Sequence, residues 1–209
     1  GSSDEDVVTG IGDCYGIAVD TISNMIYWTD NGDGSIRRAS LSSLPATHAG
    51  SEVVFSGFGA GTASEIVLDT TNQEVYWSNW DNSYKKIYKV SMSGGTPVEV
   101  ASDVKAYGIS LDLQYNKIYW TNRESSSIGF AFLERANLDG TEREALKTIA
   151  SDEDKNANGV AIDPVGNRVY WCSSNASDQT VQRKFATTNP ISAPYYRDEY
   201  AKRPVNIRN

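Results

Sequence analysis

Ile26-Tyr27-Trp28-Thr29-Asp30 returns three more times along the chain. It reappears as Val75-Tyr76-Trp77-Ser78-Asn79, Ile118-Tyr119-Trp120-Thr121-Asn122 and Val169-Tyr170-Trp171-Cys172-Ser173. An apolar stretch ending in Asp precedes each copy: Gly16 to Asp20, Glu65 to Asp69, Gly108 to Asp112 and Gly159 to Asp163. The Asp-to-Tyr spacing is constant at 20 to 27, 69 to 76, 112 to 119 and 163 to 170, while the Tyr-to-Tyr steps are 49, 43 and 51. A fixed hairpin with loops of changing length gives this pattern. Asn24, Asn72, Asn116 and Gly166-Asn167 supply turn formers between the two strands.

Neighbouring strand residues point to opposite faces, so each Tyr-Trp pair places a large ring on both sides of its sheet. Such a sheet must be covered on both sides, and blades stacked around an axis meet that demand. Each ring buries roughly 150–250 Å². Third strands are expected at Ile36–Leu41, Ile87–Met92 and Leu133–Leu138, with a degenerate copy near Val181-Gln182-Arg183. Fourth strands are expected at Glu52–Phe55, Pro97–Val100, Arg143–Leu146 and Tyr195–Arg197. The only competing helical signal runs from Asp139 to Ala150. The expected fold is all-β: a propeller with four blades of four antiparallel strands. It forms a single domain over 4–209, with cores near 16–57, 65–101, 108–149 and 159–200. Gly1-Ser2-Ser3 reads as a cloning remnant and is left out.

These motifs resemble the low-density-lipoprotein-receptor class B repeat, the Tyr-Trp-Thr-Asp family. Arg135-Ala136-Asn137-Leu138-Asp139-Gly140-Thr141 is similar to that family's third strand and turn. The resemblance covers roughly residues 5 to 187. It implies a six-bladed propeller in extracellular or cell-surface proteins that binds protein ligands or neighbouring modules. Only the first copy carries the full signature, and Glu65 replaces the usual Gly. Six blades of about 45 residues need roughly 270, and the four copies here leave the array incomplete against that count.

Composition narrows the function classes. The 209 residues carry a net charge of −8, which speaks against nucleic acid and anionic membranes as partners. No apolar run approaches the roughly 18 residues of a membrane helix. His48, the single histidine, reads as a surface loop residue with no nucleophile elbow to serve. Zinc-type sites lack ligands, and no cofactor is implied. The Asp154–Gly159 stretch opens like a calcium loop, but Val165 stands where the closing Glu belongs. The Thr29–Gly34 stretch fails likewise, with Ser40 at that position. Asp20, Asp69, Asp112 and Asp163 read as turn residues that bond nearby backbone amides. Asn175-Ala176-Ser177 is an N-glycosylation acceptor triplet in an expected loop.

A non-catalytic binding scaffold is therefore the leading expectation. The alternatives are a calcium-dependent hydrolase with an acidic channel site and a structural piece of a larger assembly. Loops from second to third strand and from fourth to next first strand leave the same side of a propeller. That side carries Tyr15, Asn31, Trp80, Asp81, Tyr107, Arg123, Glu124 and Asn158, rich in the residue types that dominate interfaces. Trp80 is singled out because the repeat does not explain it. Asp6–Thr9 reads as an outer strand ahead of the first blade, and Pro204–Ile207 as the start of another inner strand. Open blade faces call for a four-bladed ring, a homo-oligomer that covers them, or a longer parent chain. In a four-bladed ring Cys14 and Cys172 would come within disulfide reach; the competing reading leaves them as two separate thiols.

Overall fold

The computed structural model describes residues 4–58, 63–80, 85–123, 131–148, 157–175 and 178–186. Each repeat folds as an antiparallel sheet. Blade 1 comprises β2 (Cys14–Asp20), β3 (Met25–Asp30), β4 (Ser35–Ser40) and β6 (Glu52–Ser56). Blade 2 comprises β7 (Ala63–Asp69), β8 (Glu74–Asn79), β9 (Lys86–Ser91) and β10 (Val98–Ser102). Blade 3 comprises β11 (Ala106–Asp112), β12 (Lys117–Asn122), β13 (Ala131–Asn137) and β14 (Glu144–Thr148). Blade 4 shows three strands among the described residues: β15 (Ala157–Asp163), β16 (Arg168–Asn175) and β17 (Asp178–Phe185). The expected fourth strand near Tyr195 lies outside the described residues, as does Pro204–Ile207. Within the stretch of the helical signal, Glu144–Thr148 forms β14, and Leu146 packs on the seam with blade 4.

The hairpin turns follow the sequence. Asp20 accepts from the backbone N–H groups of Ile22 and Ser23, Asp69 from Thr71 and Asn72, Asp112 from Tyr115, and Asp163 from Gly166. The left-handed residue closing each turn is Asn24, Gln73, Asn116 or Asn167, so in blade 2 Gln73 takes the role expected of Asn72.

The rings fill the seams between blades. Tyr27 packs with Ile66 and Trp77, Tyr76 with Ile109 and Trp120, and Tyr119 with Val169 and Trp171. Thus the Tyr face of each blade meets the Trp face of the next. Inner strands touch in the order β2, β7, β11, β15, with no comparable contact from β15 back to β2 among the described residues. Cys14 and Cys172 are free thiols, so the possible bridge between them is not formed; the blades that carry them are the two ends of the described array, not neighbours.

The third position of the motif has the same structural role in every copy. Each inner strand shifts register near its start, between Cys14 and Ile17, Ala63 and Ile66, Ala106 and Ile109, and Ala157 and Val160. The shift withdraws one N–H from the ladder. Gly16 N–H then donates to Thr29 Oγ1 at 2.8 Å, Glu65 N–H to Ser78 Oγ at 3.1 Å and Gly108 N–H to Thr121 Oγ1 at 3.3 Å. Gly159 N–H donates to Cys172 Sγ at 3.2 Å, so that thiol stands in for the hydroxyl of the other copies. An unpaired buried N–H is costly, which gives the motif its third residue.

The first blade ends differently. β1 (Val8–Thr9) pairs in parallel with β5 (Ala46–Thr47), inside an insert between β4 and β6. The expected outer strand therefore exists, but its hydrogen bonds go to this insert. Val8, Ile11, Leu41 and Ala46 cover Ile26, Trp28 and Ala39.

Candidate functional site

Four of the residues expected on the loop face meet at one place. Tyr107, the second residue of β11, lies with its ring centroid 5.9 Å from that of Trp80, which follows β8. Arg123, just past β12, sets its guanidinium 3.4 Å from the centroid of the same Tyr107 ring. Arg123 Nη2 also donates to the side-chain oxygen of Asn158 at the start of β15. All four are half-buried. The result is a row of Trp80, Tyr107, Arg123 and Asn158 running across blades 2, 3 and 4. Asp81 and Glu124 lie outside the described residues.

The other two members stand apart. Asn31 is buried, and its amide is spent on the next blade: Nδ2 donates to Ala63 O at 2.8 Å and Oδ1 accepts from Ala63 N–H at 2.9 Å. Its role is to tie blade 1 to blade 2. Tyr15 is exposed at the start of β2.

Glu65 departs from the other copies on the seam that Trp80 and Tyr107 span. The equivalent residues in blades 1, 3 and 4 are Gly16, Gly108 and Gly159. A Cβ on Gly16 would lie 2.7 Å from Ser64 O, and one on Gly108 would lie 2.5 Å from Asn158 O. These distances are closer than atoms approach, so glycine is required where those seams close. Glu65 carries a real Cβ at the same position, so the seam between blades 2 and 3 has room for one there. Ser64 Oγ still bridges it, donating to Tyr107 O at 3.2 Å. Burial pushes the Glu65 carboxyl above the ordinary range for Glu. A raised folded-state value takes stability away as pH climbs from about 4.5, since the unfolded chain ionises first. Thermal melts between pH 4 and 7 are therefore expected to show Glu65→Gln gaining on the wild type as pH rises, with no gap at pH 4. A constant gap across that range would mean that burial does not penalise the charge.

A second cluster escaped the sequence reading. His48 is not a free surface residue. Its Nδ1 lies 3.1 Å from Asp30 Oδ2 and its Nε2 lies 3.1 Å from Asp33 Oδ2. Asp33 also pairs with Arg37 Nη2 at 3.1 Å. Asp30 already accepts the backbone N–H groups of Gly12, Asp13 and Gly32. These three side chains offer metal-ligand atoms within 4.8 Å of one another. The opposed ring nitrogens each face a different carboxylate, so the imidazole sits as a clamp between the two. The clamp holds the insert against the β3–β4 turn. No sequence spacing announces it, because the insert brings His48 back from far along the chain.

Asn175 ends β16, opposite Asp178, at a strand end instead of within a loop. Ala176 and Ser177 lie outside the described residues, as do Asp154 to Asn156 of the calcium-loop candidate. No helix among the described residues is long and apolar enough to cross a membrane.

No protein-family model matches the chain. The protein cueball of Drosophila simulans is 26% identical over 196 residues, covering 84% of this chain and 29% of the relative. The chain thus spans less than a third of the length of the curated relatives it matches. Among solved structures, a chain of a nidogen/laminin complex aligns with a TM-score of 0.61 at 24% identity, over 78% of this chain and 57% of that one. A putative TolB of Agrobacterium tumefaciens gives 0.64 at 16% identity, over 83% and 58%. A gluconolactonase of Xanthomonas campestris gives 0.54 at 13% identity, over 77% and 56%. At these identities the likeness is one of fold, and the fold is a β-propeller whose blades are each built on a Tyr-Trp pair.

Proposed function

We propose that this chain is a non-catalytic protein-binding scaffold of an extracellular or cell-surface protein, and that it belongs with the class B repeat propellers. The observation that carries this reading is the Trp80–Tyr107–Arg123 stack across blades 2 and 3. Aromatic rings and a guanidinium pre-ordered by mutual stacking lose little freedom when a partner lands on them. Half-burial leaves part of each available. The net charge of −8 favours a cationic protein surface over nucleic acid. The likeness to a nidogen/laminin complex supports a protein ligand or neighbouring module as partner and an extracellular setting.

The hydrolase alternative draws on the gluconolactonase likeness and on Asp30, Asp33 and His48. Against it, the Asp30 oxygens are already engaged by three backbone donors. The chelator EDTA is expected to leave the melting temperature unchanged, whereas a resident calcium would make it fall.

The test of the binding reading is capture from native extracellular fluid by cross-linking, with the wild type and with Trp80→Ala/Tyr107→Ala. Loss of the two rings is expected to weaken a captured partner about tenfold or more. Unchanged affinity in the double variant moves the binding face elsewhere.

A further inference from the structure

Glu65 stands where the other copies of the repeat place glycine, at Gly16, Gly108 and Gly159. The repeat also gives the direction of its side chain. A Cβ on Gly16 points at Ser64 O and Ile66 N of the next blade, and one on Gly108 points at Asn158 O and Val160 N. The Cβ of Glu65 therefore points at the matching stretch of blade 3, from Tyr107 to Ile109. Gly108, in the middle of that stretch, presents no side chain against it.

The level of the carboxyl on the seam follows from two hydrogen bonds. Glu65 N–H donates to Ser78 Oγ at 3.1 Å, and Ser64 Oγ donates to Tyr107 O at 3.2 Å. Side chains two apart on a strand share a face, so Trp80 leaves blade 2 on the side of Ser78. There its ring meets Tyr107 at 5.9 Å. One carboxyl and two rings, all half-buried, thus gather at the loop end of a single seam.

The chemistry of this corner is incomplete. Buried Asp30 is engaged by three backbone N–H groups, and buried Glu134 by Arg143 and the Asn122 amide. Nothing among the described residues donates to the Glu65 carboxyl, and burial alone acts on it. Trp120 and Trp171 each carry a cation near the ring, Arg143 and Lys147. Among the described residues Trp80 carries none. A half-buried carboxylate without a partner weakens a fold. Stability therefore gives no reason for Glu65 where glycine closes the seams at Gly16 and Gly108. A cation brought from outside does. A basic side chain offers its charge to the carboxylate and its stem or guanidinium plane to the ring.

We propose that Glu65 and Trp80 form a socket for one basic side chain, lysine or arginine, of the partner protein, with Tyr107 as its far wall. The socket rests on the binding reading of the aromatic row and adds the charge that the partner presents there. Arg123 reaches the other way, to Asn158 on blade 4, and leaves the Glu65 end of the row to the ligand. The net charge of −8 draws such a group in.

The full chain alone gives the first test. Nα-acetyl-lysine methylamide is titrated against it, with uncharged Nα-acetyl-norleucine methylamide as control. The Trp80 indole N–H resonance, assigned by its loss in Trp80→Phe, is followed by NMR. The lysine probe is expected to shift it saturably and the norleucine probe to leave it in place. Glu65→Gln is expected to weaken the lysine probe about threefold or more. A partner captured by the wild type gives the second test. Glu65→Gln is expected to weaken it about tenfold, and added salt to weaken the wild type more than the variant. Equal responses to the two probes overturn the socket, as does a Glu65→Gln chain that holds the lysine probe like wild type. A partner lost by Trp80→Ala/Tyr107→Ala but kept by Glu65→Gln overturns the socket and leaves the binding reading standing. A partner indifferent to both variants removes the two together. Glu65→Gly, which restores the residue of the other copies, repeats each measurement should the Gln variant fail to melt cooperatively.

Discussion

Trp120→Ala is expected to lower unfolding free energy by about 3–5 kcal/mol, a large share of the roughly 5–15 kcal/mol that holds a domain folded. Trp120 is fully buried. Its ring closes the seam between blades 2 and 3, against Tyr76, Val100 and Val104 of the preceding blade, and the Arg143 guanidinium lies 5.5 Å from its centroid. Arg143 is in turn held by buried Glu134, with Nε 2.7 Å from the carboxylate. Truncation thus leaves a cavity and frees a charged pair at once. In a chain of stacked units, stability resides in nearest-neighbour contacts. The variant is therefore expected to unfold in two steps in urea, with the blades on either side of the cavity parting first. Trp120→Phe is the control. The indole N–H groups of Trp28, Trp77, Trp120 and Trp171 make no hydrogen bond. Phe is expected to recover most of the loss, since it restores apolar volume and gives up no hydrogen bond. Equal losses for Ala and Phe would show that an indole N–H contact, not packing, holds the seam.

The blades were legible because their signal is local and repeated. Period-2 alternation, a turn Asp and a ring on each face recur at fixed spacing, and the backbone has one economical way to satisfy all three. The loop face was legible for the same reason: once strand order is known, Trp80, Tyr107, Arg123 and Asn158 must emerge on one side. What the repeat could not disclose is which of those residues the fold consumes. Asn31 looked like a surface amide, yet both its polar atoms are spent on Ala63. Cys172 was open to two readings, half of a bridge or a separate thiol, and it fills the hydroxyl's place beside Gly159 N–H. That role was readable from its motif position, where Thr and Ser stand in the other copies. The His48 clamp was not readable at all, because it depends on the path of one insert. Neither was the difference between Glu65 and its glycine counterparts, which needed the observation that a Cβ on Gly16 or Gly108 collides with backbone.

Gly108→Glu puts that last point at risk and carries the second large effect. It writes into blade 3 the residue that blade 2 already carries at the same place, so repeat position alone predicts tolerance. The seam predicts otherwise. A Cβ on Gly108 would lie 2.5 Å from Asn158 O, 2.8 Å from Val160 N and 2.9 Å from Gly159 Cα, all of them backbone. Backbone cannot swing aside as a side chain can. Relief requires β11 and β15 to part, which stretches the 2.8 Å bond from Thr121 Oγ1 to Asn158 O and draws Asn158 away from Arg123. Overpacking of this kind costs about 1–3 kcal/mol. A carboxylate left without a partner in the seam adds about 1–3 kcal/mol more. The sum is expected to exceed that of Gly108→Ala, which meets the first cost alone. Because Arg123 orders Tyr107, the same variant is expected to disturb the aromatic row, read as a change in Trp80 fluorescence before unfolding begins. A Gly108→Glu chain as stable as wild type would mean that all the seams open equally. Glu65 would then be an ordinary occupant of its position, and glycine at the other copies would not be a requirement of their seams.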